Sequence, residues 1–303
     1  MAPYRIMFVD DEEDFLSMLS AYFKDKFDMV TARGAEEALG LLGRGGAYDL
    51  VVSDNYMGEG MDGTEFLKEV HSRFPKVKTA LLTSSDIDGY VGLARLGAVC
   101  SVIPKAIPFS FTEVDEIVTG ILTGEVFGIG RYLDSKDSVV NDTYCVKSSG
   151  EAHLIRDKIV AEIEERFSSA GDTKLVLDEI LTNAIYHAPL RGDGSPKYPL
   201  FSEVTLEPSE YVYVDFGYDS EKYGVAVLDK LGTLTREVVL SKMERQIKGQ
   251  GDMDDSGRGL HMCRLFADRL IVNIERGKRT EVIILNFLNG KYTGYKPLYI
   301  NEV

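Results

Sequence analysis

The sequence predicts two α/β units in tandem, the first a doubly wound, five-stranded parallel sheet. Three observations predict this. At 303 residues the chain exceeds what one ordinary core accommodates and fits two domains. Up to about residue 123 it alternates apolar strand-like runs with amphipathic helices. After residue 150 the order changes to helices first and apolar strand-like runs later, which marks a separate domain. The division is therefore 1–123, a linker over 124–150, and 151–303.

In the first part, YRIMFV is a strand, and the helix after it places Phe15, Met18, Leu19, Tyr22 and Phe23 on one face. FDMVTA, AEEALGLL and YDLVVSD continue the alternation, and a helix over 63–74 is stopped by Pro75. KTALLTSS, DGYVGLARLG, AVCSVIPK and a helix over 111–122 complete the five βα units. In such a sheet ligands bind at the carboxyl ends of the strands, and the polar residues collect there. Asp10 and Asp11 follow the first strand, Asp54 ends the third, Thr83 the fourth and Lys105 the fifth. Three carboxylates suit Mg²⁺, a hard cation that takes oxygen ligands and bridges to phosphoryl groups. Asp54 can then act as nucleophile toward a phosphodonor, with Thr83 and Lys105 binding the oxygens of the transferred group.

These five residues in five separate segments make residues 1–123 resemble a response-regulator receiver domain. The resemblance implies that Asp54 is the phosphoacceptor, that Asp10, Asp11, Asp54 and the backbone carbonyl of Tyr56 hold Mg²⁺, and that a histidine kinase is the phosphodonor. The sequence departs from the family at three places. Gly58 stands where proline is usual, with one extra residue before Met61; Ala106 follows Lys105 in place of proline; and Val102 occupies the usual aromatic switch position. The acceptor cluster itself is intact.

Three glycines within 124–130 and the polar run SKDSVVNDTYCVKSSGE read as the linker. HLIRDKIVAEIEERF follows as a helix with Ile155, Ile159, Ile163 and Phe167 at helical spacing. In KLVLDEILTNAIYHA, Glu179, Asn183 and His187 recur every fourth residue, opposite Leu177, Ile180, Leu181 and Ala184. Such a polar stripe suits a Mg²⁺-nucleotide, with Asn183 as oxygen ligand and Glu179 as general base. Strand-like YVYVDF, YGVAVLD, RLIVNI and TEVIIL come next, the second ending in Asp229, which can accept the amino proton of adenine. Residues 234–256 are polar, and Gly257 and Gly259 then open a helix whose first amides can hold phosphates.

ExxxN on a helix, a strand ending in Asp with a glycine turn, GxGL opening a helix and TEV on a strand together resemble the Bergerat-fold (GHKL) ATP-binding domain. DEILTNAIYHA with GRGLHM is most similar to the anti-sigma-factor serine kinases. The resemblance covers 151–303 and implies an α/β sandwich with ATP and a second Mg²⁺ as cofactors. Glu179 would be the base and Asn183 the Mg²⁺ ligand. Asp229 would recognise adenine with Gly232 in the turn beneath it and Thr280 beside it. Gly257, Arg258, Gly259 and Leu260 would form the phosphate turn, and 234–256 the lid. Lys230 and Leu231 replace the usual glycine pattern after Asp229, and His261 replaces the last glycine of the phosphate turn.

Composition limits what the chain can do. A formal net charge of −15 argues against nucleic acid as partner, since phosphate contacts need a basic surface. Cys100, Cys145 and Cys263 are odd in number and lack metal-ligand spacing, so neither a disulfide framework nor a zinc site is expected. No apolar run is long enough to span a bilayer and MAPYRIMFVDDEED lacks signal-peptide regions, so a cytoplasmic protein without a membrane partner is expected. AHLIRDKI around His153 lacks the Glu and Pro of a kinase phosphoacceptor motif, and only one helix separates it from Glu179, which argues against a histidine autokinase.

The expected function is that of a response regulator in which phosphorylation of Asp54 controls an ATPase or serine/threonine kinase, through exposure, dimerisation or lid position of the second domain. The alternative is a non-catalytic module that binds a protein partner when ATP orders its lid. A sigma-factor regulator or another protein substrate, and a second copy of the chain, are the further partners considered.

Overall fold

The computed structural model describes residues 4–58, 60–85, 87–95, 97–105, 109–134, 136–140, 143–167, 170–248, 258–288 and 296–303. The chain divides into two compact units, Met1–Glu125 and Val126–Val303.

The first unit runs β1 (Arg5–Val9), α1 (Glu13–Phe23), β2 (Asp28–Ala32), α2 (Ala35–Gly43), β3 (Leu50–Asp54), α3 (Gly63–Arg73), β4 (Lys78–Thr83), α4 (Val91–Arg95), β5 (Ser101–Pro104) and α5 (Phe111–Thr123). All strand pairs are parallel, in the order β2-β1-β3-β4-β5. Side chains alternate across each strand, so Ile6, Phe8, Leu50 and Val52 pack with Leu19 and Phe23 of α1 and Val114 and Val118 of α5. Met7, Val51 and Leu81 are buried on the other face, where α2 and α3 lie. A sheet buried on both faces explains why these strands read as continuous apolar runs. The predicted helix in DGYVGLARLG is instead a 3₁₀ turn (Ile87–Tyr90) leading into the one-turn α4. Helix α3 starts where the Asp62 side chain accepts the Glu65 N–H at 2.8 Å. Reversal of strand order occurs between β1 and β3, which brings their carboxyl ends side by side.

The second unit contains β6 (Val139–Val140), β7 (Tyr144–Val146), α6 (Ser149–Phe167), α7 (Thr173–Thr182), β8 (Val212–Tyr218), β9 (Lys222–Asp229), α8 (Arg236–Ile247), α9 (Arg258–Phe266), β10 (Arg269–Glu275), β11 (Arg279–Phe287) and β12 (Leu298–Glu302). Its sheet runs β12-β10-β11-β9-β8-β6, with β7 also on β8; β10 and β12 are parallel and the other pairs antiparallel. Helix α7 continues as a π turn over Asn183–His187, closed by the Ala188 N–H to Asn183 O bond at 3.0 Å.

The residues expected as linker, 124–150, include two strands of this sheet and part of its core. Val126, Ile129, Tyr132 and Leu133 are buried. Gly128 N–H donates to both carboxylate oxygens of Glu281 at 3.1 and 3.0 Å, while Asn273 Nδ2 donates to Val126 O at 2.6 Å and to Glu281 at 2.9 Å. Strands of two and three residues are too short to show a period of two, and single apolar residues between glycines resemble a coil.

Candidate functional site

Two constellations follow from the two folds. In the first unit, Asp10 follows β1 and Asp54 ends β3 at the adjacent carboxyl ends, and both are buried. Ligand oxygens of Asp10, Asp11 and Asp54 all lie within 4.8 Å of one another, with Asp11 exposed. Lys105, just past β5, places Nζ 2.8 Å from Asp10 Oδ2, 3.2 Å from Asp54 Oδ2 and 3.0 Å from Glu12 Oε1. Glu12 was not singled out by the sequence, where it is one of five consecutive acids and nothing marks which of them face the crevice.

Burial pushes the Asp10 and Asp54 carboxyls above the ordinary aspartate range, although Lys105 pulls both back. Burial likewise works against the charge on Lys105, but the hydrogen bonds to Asp10 and Glu12 outweigh it and hold its proton above the ordinary lysine range. Asn55 N–H donates to Asp54 Oδ1 at 2.7 Å. Tyr56 directs its ring to solvent, and its N–H helps hold the Asp54 carboxylate. Thr83 is fully buried at the end of β4, its hydroxyl 3.1 Å from the Ser85 N–H and 3.5 Å from the Tyr90 hydroxyl. The five residues marked by the sequence thus lie at the carboxyl ends of β1, β3, β4 and β5, and the carboxylate set suits a hard divalent cation. Val102 is buried in β5, while Ala106 lies outside the described residues.

In the second unit, a cavity of about 250 Å³ opens between the sheet and the helices and is lined by Asn183, Asp229, Leu260 and Thr280. Asp229 ends β9 and Thr280 opens β11 directly opposite, so antiparallel register brings the two together. Burial pushes the Asp229 carboxyl up, opposed by the N–H groups of Leu231 and Gly232 at 2.9 and 3.0 Å from Oδ1. Gly232 is obligatory here: its φ is +58°, and an added Cβ would lie 2.5 Å from Glu275 O and 2.6 Å from Lys278 N. The Thr280 hydroxyl is buried beside the Asp229 carboxylate and is one of the groups that oppose the upward push of burial on it.

Asn183 donates through Nδ2 to the backbone carbonyl of Glu179 at 2.9 Å and to Glu179 Oε1 at 3.1 Å. Glu179 itself is not part of the cavity wall; its carboxylate lies against Gly259 of α9, where an added Cβ would be 1.5 Å from Oε1. Arg258 is exposed at the start of α9, and Gly257 lies outside the described residues. The expected lid, 234–256, contains helix α8, whose Val239, Leu240 and Met243 are buried while Val238 and Lys242 line the cavity; 249–256 lie outside the described residues. Lys242 was missed by sequence reasoning because an isolated lysine on an amphipathic helix reads as a solvent-facing residue. His187 also lines the cavity. Its proton affinity is lowered by burial first and by Lys242 second.

The response regulator receiver domain family matches residues 6–112. An anti-sigma F factor from Clostridium beijerinckii is 24% identical over 156 residues, covering 50% of this chain and 96% of that protein. Among solved structures, the response regulator TrrA from Thermotoga maritima in complex with Mg²⁺-BeF is 31% identical, covering 39% of this chain and 99% of that one with a TM-score of 0.35. The signal receiver domain of an HD domain-containing protein from Pseudomonas fluorescens is 25% identical, covering 41% and 90%, with a TM-score of 0.37. Among the described residues no helix is long and apolar enough to cross a membrane. With the five-stranded parallel sheet and the acidic pocket at its carboxyl edge, the family match identifies the first unit as a response regulator receiver domain.

Proposed function

We propose that Asp54 accepts a phosphoryl group from a histidine kinase and that the phosphorylated receiver controls adenine-nucleotide chemistry in the second unit. The Asp54 oxygen attacks phosphorus, the phosphorus–nitrogen bond of the donor breaks, and the released imidazole takes up a proton. Asp10, Asp11, Asp54 and the carbonyl of Tyr56 would hold Mg²⁺, which neutralises phosphoryl charge. Lys105 already sits among three carboxylates and can turn from Asp54 to a phosphoryl oxygen. Thr83 supplies a hydroxyl from β4.

In the second unit we assign a Bergerat-type ATP site to the cavity. One observation carries this: the buried Asp229 carboxylate and the Thr280 hydroxyl beside it meet in the same cavity as Asn183, which is bonded to Glu179. A buried carboxylate with a hydroxyl beside it in an apolar wall fits the amino edge of a heterocyclic base. Asn183 would hold a second Mg²⁺ by its amide oxygen. Gly232 shapes the turn under the base, and Gly257, Arg258, Gly259 and Leu260 would close on the phosphates. Glu179 would take the proton of the attacking water or hydroxyl, giving an ATPase or a serine/threonine protein kinase.

A second reading, a non-catalytic ATP-dependent partner-binding module, is favoured by the engagement of Glu179 with Asn183 and Gly259 and by the likeness to an anti-sigma F factor. A sigma-factor regulator would then be the partner. The test is steady-state ATP hydrolysis by the full chain with Mg²⁺, with and without beryllium fluoride, for wild type, Glu179→Ala and Asp54→Ala. Turnover that needs Glu179 and responds to beryllium fluoride only with Asp54 present supports the catalytic reading. ATP binding without turnover, with partner binding that survives Glu179→Ala, supports the second.

A further inference from the structure

The cavity of the second unit contains a cation to which the ATP reading gives no task. On α8, Val238 and Lys242 are one turn apart and both line the cavity, while the buried Val239, Leu240 and Met243 anchor the helix on the core. The position of Lys242 is therefore imposed by packing. Asn183 and His187, at the two ends of the π turn, line the same cavity.

Several lysines of this unit have carboxylate partners, Lys222 at 2.9 Å from Asp219 and Lys197 at 2.8 and 2.6 Å from Glu207 and Glu210, while Lys147, Lys158 and Lys230 lie over tyrosine rings. Lys248, at the C-terminal cap of the same helix, pairs with Glu244 at 2.6 Å. Lys242 has no ion pair among the described residues. A half-buried ammonium beside an apolar wall, without a counter-charge, is unfavourable unless an anion joins it. Its charge is felt at His187, where it adds to burial in disfavouring protonation, against Glu179.

One cavity thus brings together a carboxylate and a hydroxyl, Asp229 and Thr280, with the Lys242 cation, the Asn183 amide and the His187 imidazole. We propose that Lys242 anchors the phosphate chain of the bound nucleotide, so that the site selects nucleoside polyphosphates over nucleosides. This rests on the ATP reading and adds the group that recognises the anion. Lys242 is a binding residue in this role, held by a helix that also forms one side of the cavity.

The experiment is calorimetric titration of the full chain with adenosine, ADP, ATP and inorganic tripolyphosphate in Mg²⁺, at low and high salt, for wild type, Lys242→Gln and Lys242→Arg. Loss of one charge-assisted contact predicts affinity for ADP and ATP lower by about tenfold or more in Lys242→Gln. Adenosine binding is unchanged, the salt dependence is reduced, and Lys242→Arg recovers most of the loss. Equal binding of ADP and ATP by wild type and Lys242→Gln overturns the proposal. So does an equal loss for adenosine, which would mean that Lys242 only supports the cavity wall. Tripolyphosphate separates this proposal from the ATP reading. Binding of tripolyphosphate that needs Lys242, without any binding of adenosine, keeps the anion site and removes the adenine site. Failure of the wild type to bind any of the phosphates overturns both.

Discussion

Asp54→Asn should stabilise the first unit in the absence of Mg²⁺, although it removes one side of an ion pair. Lys105 Nζ lies 3.2 Å from Asp54 Oδ2, an attraction of about 5 kcal/mol at an effective dielectric constant near 20. Asp10 and Asp54 ligand oxygens lie within 4.8 Å, so the repulsion relieved is about 3.5 kcal/mol or more. These nearly cancel, and the sign is decided by burial, which costs an ionised carboxylate several kcal/mol. That burial wins is already visible in the Asp54 carboxyl, which stands above its ordinary range despite Lys105. The asparagine oxygen still accepts the Asn55 N–H, and Lys105 keeps Asp10 and Glu12. A net gain of about 1–2 kcal/mol is expected, which for a unit of this size raises its unfolding temperature by roughly 4–8 °C. Differential scanning calorimetry of the full chain at pH 7 with a chelator measures it, the receiver transition being the one that Mg²⁺ shifts in wild type. A lower or unchanged transition in the variant would show that the Lys105 pairing outweighs burial and would refute the reasoning.

Three further outcomes are expected. Gly232→Ala forces a left-handed alanine and drives Cβ into backbone atoms at 2.5–2.7 Å, so the second unit should lose about 3 kcal/mol, read as a lower urea midpoint. In Gly259→Ala the nearest atoms the new Cβ meets belong to the flexible Glu179 side chain, so the stability cost should be about 1 kcal/mol, while displacement of the carboxylate abolishes any turnover that depends on Glu179. Unchanged turnover would show that the carboxylate acts from another position. Glu281 is raised above the ordinary glutamate range by burial, against Asn273 and Gly128. A group raised on folding contributes stability that is present below its unfolded value and lost as pH rises through its folded value, so wild type should gain on Glu281→Gln as pH falls from 7 toward 4.5. Chemical denaturation at several pH values checks the direction.

The response-regulator half was legible in the sequence because both of its signals are local. Strands buried on two faces must be apolar throughout, and polar residues placed just after them must lie at the carboxyl edge, so Asp10, Asp54, Thr83 and Lys105 could be placed by counting strands. Glu12 was not legible, because its approach to Lys105 spans 93 residues and depends on how the chain leaves β1. In the second half the helix carrying Glu179 and Asn183, the strand ending at Asp229 and the strand opening at Thr280 could each be read from periodicity. Their convergence on one cavity could not, since it follows from the antiparallel register of β9 with β11. Tertiary structure alone turned the supposed linker into part of the second sheet, because Glu281 and Asn273 satisfy backbone groups near Val126 that no neighbour in sequence can reach. It alone made Lys242 notable, because only packing decides whether a lysine on an amphipathic helix faces water or an enclosed space. Local sequence determines which residues can form strands and helices; long-range pairing decides which of their side chains share a site, since desolvation and charge act through space rather than along the chain.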